Sequence, residues 1–226
     1  VFERADKIGG LLRYGIPEFK LEKRHLDRRL ALLEEEGVMF RTKTNIGVDI
    51  TWEELRRDFE AIVLAGGATR PRDLPVRGRE LKGVHFAMDY LTQANRRCEG
   101  DKVAEADAIL AKDKHVIIIG GGDTGADCLG TAHRQGAASV TQLEIMPQPS
   151  VDRPDHMPWP TFPMTYKVTS AHEEGGERVF SVNTECFIGD ESGKVVGLRA
   201  HEVEQQFVDG RMSFEKVEGS DFELPC

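Results

Sequence analysis

The sequence predicts an α/β fold in which a strand–turn–helix–strand unit is followed by an antiparallel β-meander. The unit begins with an apolar run at 116–119 that leads into three consecutive glycines. Apolar residues then recur at helical spacing over 126–133, and a second apolar run ends in Glu144. After residue 177, strand-like runs alternate with turn signals, a pattern typical of antiparallel strands.

The turn from Gly120 to Gly125 has the pattern G-x-G-x-x-G. Gly120 permits a tight turn, Gly122 lets the backbone approach an anion, and Gly125 lets the helix pack close to the strand. The helix N-terminus then presents N–H groups to a pyrophosphate. Glu144 lies 24 positions after Gly120, close to where a ribose-binding acid is expected. This context predicts a dinucleotide site, the alternative being a plain βαβ unit.

Composition narrows the function classes. The 226 residues suffice for one large domain or two small ones, and 39 % of them are hydrophobic. A net charge of −9 with interspersed acids and bases argues against a nucleic-acid surface and against a polybasic membrane patch. No apolar run approaches ~20 residues, and the first residues have no signal-peptide pattern.

The four cysteines, at 98, 128, 186 and 226, are widely separated and form no C-x-x-C. Their spacing excludes a local zinc knuckle, a cluster-binding run and a redox dithiol. Disulfides are possible by count, but a reduced, cytoplasmic protein is the simpler expectation.

The N-terminal third contains a second set of signals for a flat ligand. Val1–Glu3 has the pattern of a buried strand that ends in an acid. Glu3 is therefore either a ribose ligand of a second dinucleotide or a plain surface residue. The following loop is apolar between its glycines, and Gly9 and Gly10 would let the backbone lie against a ligand.

Regular elements are predicted next. Leucines at helical spacing indicate a helix over 22–36, with Gly37 as its C-terminal stop. Alternation predicts a strand over 38–44, and a capping box of Thr51 and Glu54 predicts a short helix.

The apolar run 61–65 predicts a buried strand. Gly66 and Gly67 follow it, and such small residues would let a cofactor lie across the strand end. The stretch 70–75 contains two prolines, so we place a domain boundary there.

Beyond the boundary, the pattern predicts a helix over 86–97 and a loop with a helical turn over 100–111. Six prolines between 147 and 163 exclude regular helix or sheet. Asp152, Asp155 and His156 in this loop do not have the spacing of a known metal-ligand set. We therefore expect a structured loop beside a cofactor or a partner-docking surface.

The C-terminal part is predicted to form the meander. Residues 172–176 read as a turn, and Asp209-Gly210 is a strong hairpin signal. The strand-like runs are 178–188, 194–208 and 212–217.

Several stretches resemble the small (beta) subunit of glutamate synthase, within the flavoprotein oxidoreductases that contain two dinucleotide-binding folds. The resemblance covers nearly the whole chain, and GGLLRYGIP is its most specific motif. The similar stretches are Val1–Glu3, Ile8–Lys23, Ile62–Gly78, Val116–Ala137, Val140–Pro149, Pro158–Pro163 and Ser170–Thr184.

The resemblance implies an FAD-binding domain interrupted by an NAD(P)H-binding domain. Residues 1–77 would be part of the FAD-binding domain. Residues 78–226 would be the NAD(P)H-binding domain, with the last residues returning toward the FAD domain. We expect the chain to be an internal piece of a longer protein, with the FAD glycine loop and the 4Fe-4S cysteines upstream. Such a piece would hold half an FAD site and would not bind FAD tightly.

The resemblance also implies roles for individual residues. Glu3 would bind the FAD ribose, and Val48 would meet the adenine. Glu144 would face the adenosine ribose of NAD(P)H. The remaining FAD contacts would be Gly9, Gly10, Leu11, Ala65, Gly66 and Gly67, and the NAD(P)H pyrophosphate would contact Gly120, Gly122, Asp123, Thr124 and Gly125.

The implied reaction is hydride transfer from NAD(P)H to FAD. Electrons would then pass through the clusters to the large (alpha) subunit, which makes L-glutamate from glutamine and 2-oxoglutarate. No residue has the pattern of an acid–base catalyst, and no metal ligands are expected in this chain. Glu144 favours NADH, because an acid accepts from the ribose 2′-OH and repels a 2′-phosphate.

Two alternatives stay open. The first is a related flavoprotein reductase, of the ferredoxin-reductase or dihydropyrimidine-dehydrogenase-like type. A disulfide reductase of the thioredoxin-reductase type is disfavoured by the absence of C-x-x-C. The second is a non-catalytic nucleotide-binding or docking module.

Overall fold

The computed structural model describes residues 1–208 and 210–226, which divide into two units. The first unit comprises Val1–Arg72 and Leu91–Asp107, and the second comprises Asp73–Tyr90 and Ala108–Cys226. Helix α4 (Ala87–Cys98) has its first residues in the second unit and the rest in the first. It confirms the helix predicted over 86–97. The assignment of 1–77 and 78–226 to two cofactors stays a prediction.

Local signals explain the helices of the first unit. Gly37, at φ 93°, follows the second helix and ends it, as predicted. The capping box is also present: Glu54 N–H donates to Thr51 Oγ1 at 3.3 Å, and Thr51 N–H donates to Glu54 Oε2 at 2.8 Å. Such a cap contributes about 1 kcal/mol to helix stability. The helices are α1 (Leu11–Tyr14), α2 (Lys23–Glu35), α3 (Trp52–Asp58) and a 3-10 turn at Glu105–Asp107.

The two strands predicted in the first unit, at 61–65 and 38–44, are not formed. Residues 61–65 form no strand, and the side chains of Val63 and Leu64 are 88 % and 74 % exposed. In place of a strand over 38–44, the structure has one parallel bridge between Phe2 and Arg41. A strand needs a neighbour to bond its N–H and C=O groups. The described residues supply no such neighbour to 61–65.

The predicted strand–turn–helix–strand unit is present in the second unit. Strand β1 (His115–Ile119) pairs in parallel with β2 (Ser139–Leu143), and β2 pairs in parallel with β3 (Glu177–Val179). Helix α5 (Asp123–Arg134) connects β1 to β2. Its buried face includes Leu129 and Ala132, each 0 % exposed, because the helix packs on the sheet.

The antiparallel part of the second unit is built around one long strand. β5 (Val195–Val208) pairs with β4 (Val182–Gly189), with β6 (Arg211–Lys216) and with β7 (Phe222–Pro225). The strands predicted at 194–208 and 212–217 are thereby confirmed. The predicted hairpin turn includes Asp209, which lies outside the described residues.

A single strand over 178–188 is wrong, because β3 and β4 belong to different sheets. Ser181 lies between them at φ 57°, and this left-handed conformation cannot continue a strand. Leu143 and Leu198, both 1 % exposed, pack in one core that joins the two sheets. The predicted turn at 172–176 begins as helix α6 (Ser170–Glu173).

Other predictions concern segments without regular structure. No helix or strand occurs in the proline-rich residues 147–163, as predicted. The four cysteines are free thiols, and Cys128 is buried as expected of a core residue. Among the described residues, no helix is both long and apolar enough to span a bilayer.

Candidate functional site

The glycine loop sits at the carboxyl end of β1. Gly120 has φ 118°, and its N–H still donates to Leu143 O of β2 at 2.8 Å. Gly122 is the N-cap of α5. A Cβ on Gly125 would lie 2.2 Å from Gly120 O and 2.4 Å from Gln142 Nε2. Only glycine allows the helix to begin this close to the strand end.

The space in front of the loop suits a diphosphate. A Cβ added at Gly120 or Gly122 would meet nothing within 4 Å, and Asp123 and Thr124 are exposed. No side chain caps the first turn of α5. The first N–H groups of a helix have no partner within it, so they can donate to an anion. The predicted pyrophosphate contacts therefore lie on one surface with the chemistry that such a group requires.

Glu144 lies beside this loop. Its Oε2 accepts the Gly121 N–H at 2.6 Å, and its Oε1 accepts the Met146 N–H at 2.9 Å. A carboxylate oxygen has a second lone pair, so each oxygen can still accept from a ribose hydroxyl. The predicted ribose role of Glu144 fits this geometry and stays a prediction.

Sequence reasoning missed two residues behind the loop. Gln142, 1 % exposed, donates from Nε2 to Gly120 O at 2.8 Å. His172 Nε2 lies 3.1 Å from Gln142 Oε1. A polar residue in the middle of an otherwise buried strand is the signal that would have found Gln142, since its amide needs buried partners.

In the first unit, Glu3 has one feature in common with Glu144: its carboxylate accepts a hydrogen bond from a backbone N–H two residues on. Glu3 Oε1 accepts the N–H of Ala5 at 2.7 Å. Gly9 is required by packing, because a Cβ there would lie 2.6 Å from Leu26 Cδ2. Gly10, at φ 50°, precedes α1, and Leu11 is 63 % exposed. This stretch offers an acid and an apolar surface, as a flavin nucleotide would require.

The other expected FAD residues are not held in place by the described residues. Val48 is 76 % exposed, and Ala65, Gly66 and Gly67 lie in an exposed segment without secondary structure. The predicted strand end at Ala65 is therefore not formed, because no strand of residues 1–208 or 210–226 pairs with 61–65. The binding roles of these residues stay predictions.

A charged cleft of about 460 Å³ also lies in the first unit. Its two most buried cations already have partners. Arg13, 5 % exposed, donates to Asp27 Oδ1 at 2.5 Å and to Glu99. Lys23 donates from Nζ to Ile16 O at 2.6 Å, and burial lowers the pKa of this ammonium. We read the cleft as an internal ion-pair network of the fold.

One group in the second unit has the composition of a metal site. Side-chain ligand atoms of Glu185, His201 and Asp221 lie within 4.8 Å of one another. The Lys216 ammonium is 2.6 Å from Asp221 Oδ1 and 3.9 Å from Glu185 Oε2. Because the Lys216 ammonium already forms ion pairs with both carboxylates, we read the group as an ion-pair cluster.

Comparison with known proteins gives consistent results. Residues 14–157 match the family described as pyridine nucleotide-disulphide oxidoreductase. Glutamate synthase [NADPH] small chains of Mycobacterium tuberculosis and Bacillus subtilis are 64 % and 43 % identical over 99 % and 100 % of this chain. The chain spans 46 % and 47 % of their lengths. Glutamate synthase [NADH] of Schizosaccharomyces pombe is 40 % identical, with 100 % of this chain aligned to 11 % of that protein.

A solved structure shows the same fold. Mycobacterium tuberculosis FprA in complex with NADPH superposes with a TM-score of 0.69 at 17 % identity, over 99 % of this chain and 61 % of that one. This likeness supports the predicted fold class, Rossmann-like with an antiparallel meander. The chain belongs to the pyridine nucleotide-disulphide oxidoreductase family and is a homologue of the glutamate synthase small chain over nearly its whole length.

Proposed function

We propose that this chain is the electron-input module of a glutamate synthase, with NAD(P)H bound at the glycine loop of the second unit. The observation that carries the proposal is the open loop from Gly120 to Gly125 at the start of α5, with Glu144 beside it. Family membership and the 64 % identical small chain support the same assignment.

When bound, the cofactors would supply the chemistry: a hydride from NAD(P)H to FAD, and electron transfer through 4Fe-4S clusters outside this chain. The residues of this chain would bind the cofactors and orient them. The N–H groups at the start of α5 would hold the pyrophosphate, and Glu144 would hold the adenosine ribose. Glu3 and the loop at Gly9–Leu11 would hold part of FAD.

The whole protein would pass electrons to a large subunit that forms L-glutamate from glutamine and 2-oxoglutarate. Support comes from the relatives that are named small chains of glutamate synthase. A related flavoprotein reductase is the second candidate, because the FprA structure shares the fold. An intact protein that reduces an acceptor with NAD(P)H but forms no glutamate would favour this second candidate.

Calorimetric titration of the chain with NADH, NADPH and FAD tests the nucleotide site. We expect a reduced nicotinamide dinucleotide to bind with 1:1 stoichiometry and FAD to bind weakly, since the expected FAD contacts at 65–67 are exposed. Failure of both NADH and NADPH to bind would contradict the proposal. Nucleotide binding without electron transfer in the intact protein would favour a non-catalytic module.

We further propose a preference for NADH. The Glu144 carboxylate accepts from a 2′-OH but repels a 2′-phosphate. Arg153, the nearest base along the chain, already donates to Met157 O and Thr161 O at 2.8 Å. The relatives carry both names, NADPH in the two bacteria and NADH in the yeast, so the preference needs direct measurement.

We expect NADH to bind the chain about 10-fold more tightly than NADPH, which corresponds to about 1.4 kcal/mol. Glu144→Gln removes the charge but keeps an acceptor, so the ratio of the two dissociation constants should fall toward one. Glu191→Gln, at an exposed acid in the turn between β4 and β5, is the matched control. Tighter binding of NADPH by the unchanged chain would overturn the preference.

A further inference from the structure

The peptide group between Gly120 and Gly121 is held at both ends. Its carbonyl oxygen accepts from Gln142 Nε2 at 2.8 Å. Its N–H donates to Glu144 Oε2 at 2.6 Å. The two partners are two positions apart, so they project to the same side of β2 and its extension. Two side chains at the carboxyl end of β2 therefore fix the orientation of one peptide group in the glycine loop.

The orientation of this peptide matters for an anion. A loop that cradles a phosphate must present N–H groups, whereas a carbonyl that turns into the site repels the phosphate. Glycines with φ near 118°, as at Gly120, permit such a rotation at little cost. Because Gln142 holds the carbonyl against the start of α5, close to Gly125, the carbonyl is kept away from the open side.

His172 sets which end of the Gln142 amide faces the loop. The backbone N–H of Thr169 donates to His172 Nδ1 at 3.2 Å, so Nδ1 carries no proton in this arrangement. The neutral ring then has its proton on Nε2, which donates to Gln142 Oε1 at 3.1 Å. The amide nitrogen is thereby directed at Gly120 O. If the Gln142 amide were reversed, its oxygen would face the Gly120 carbonyl oxygen, and its NH2 group would face the N–H of His172. Neither pair could form a hydrogen bond.

We infer that Gln142 and His172 are positioning residues for the dinucleotide loop, acting through the Gly120–Gly121 peptide. This inference rests on the proposed nucleotide function. Gln142 fixes the Gly120 carbonyl group, and His172 fixes the orientation of the Gln142 amide. Neither side chain contacts the nucleotide, and their effect is to have the loop arranged before the ligand arrives.

The test uses Gln142→Met, His172→Leu and the double variant. Methionine keeps the length of the side chain and removes both hydrogen bonds. Loss of one such bond corresponds to about a 5- to 10-fold rise in the dissociation constant for NADH. If the two residues act through one peptide, the double variant should bind no more weakly than Gln142→Met. Unchanged NADH binding by Gln142→Met, or fully additive losses, would overturn the inference.

A second readout does not depend on the nucleotide. In 1H–15N NMR spectra of the chain without ligand, both single variants should shift the amide of Gly121. Thr184→Val, a change at a buried polar residue of β4, is the control that should leave this amide and NADH binding unchanged. If the unchanged chain binds no dinucleotide, the proposed function fails, and the amide shifts still decide the inference: no shift in either variant overturns it.

Discussion

Asp6 shows how a single residue stabilises the first unit. Tyr14 Oη donates to Asp6 Oδ1 at 2.5 Å, and Arg96 Nη2 donates to the same oxygen at 2.8 Å. These two hydrogen bonds, Tyr14 first, lower the pKa of Asp6 from 3.8 to about 2. Because the folded pKa lies below the unfolded one, the stabilisation is present above pH about 4. It is lost as the pH falls toward 2.

We therefore predict that Asp6→Asn lowers the free energy of unfolding at pH 7 by about 1–2 kcal/mol, a value reduced for the partial exposure of the pair. Urea unfolding from pH 7 to pH 2 is the measurement, with Asp152→Asn as the control. The difference from the unchanged chain should shrink as the pH falls from 4 to 2, because Asp6 is protonated first in the unfolded chain and only near pH 2 in the folded one. A difference that persists at pH 2 would show that the ionised carboxylate is not its source.

At the scale of elements, two glycines of the strand–turn–helix unit are explained by different causes, one by packing within the protein and the other by space for a ligand. At Gly125, a Cβ would lie 2.2 Å from Gly120 O, so the demand comes from packing. At Gly122, a Cβ would meet nothing within 4 Å, and φ is −80°. Packing therefore makes no demand for glycine at this position, and we attribute the demand to the proposed dinucleotide.

We predict opposite outcomes for the two alanine variants. Gly125→Ala should lower the free energy of unfolding by about 1–3 kcal/mol, because the helix start must shift. Gly122→Ala should keep the stability of the chain and weaken NADH binding, since its methyl group enters the space of the pyrophosphate. Thermal unfolding and calorimetry measure the two quantities. Equal stability loss in both variants would contradict this division.

At the scale of the whole molecule, the two units should respond differently to a nicotinamide nucleotide. Saturation at about 100 times the dissociation constant adds about 2.7 kcal/mol to the stability of the part that binds. We predict that NADH slows amide hydrogen exchange in β1, α5 and β2, and leaves α2 and α3 of the first unit unchanged. Hydrogen exchange with and without NADH is the measurement. Protection confined to the first unit would place the site elsewhere.

Much of the fold could be predicted because its signals are local. The capping box of Thr51 and Glu54, the stop at Gly37 and the glycine pattern at Gly120–Gly125 each act within one or two turns of chain. At Gly37 and in the capping box, the φ angle and the hydrogen bonds depend on residues only a few positions apart. The same rules led to the predicted site, since the loop and Glu144 are joined by one βαβ connection.

Strand pairing and buried polar contacts depend instead on partners far along the chain. The run 61–65 has the composition of a buried strand, yet it stays exposed, because no strand in the described part of the chain bonds its backbone. The run 178–188 divides between two sheets at Ser181, which a pattern of apolar residues does not reveal. The link from His172 through Gln142 to Gly120 likewise exists only after the elements pack. Sequence thus determines the local elements, and the tertiary structure decides which of their polar groups meet.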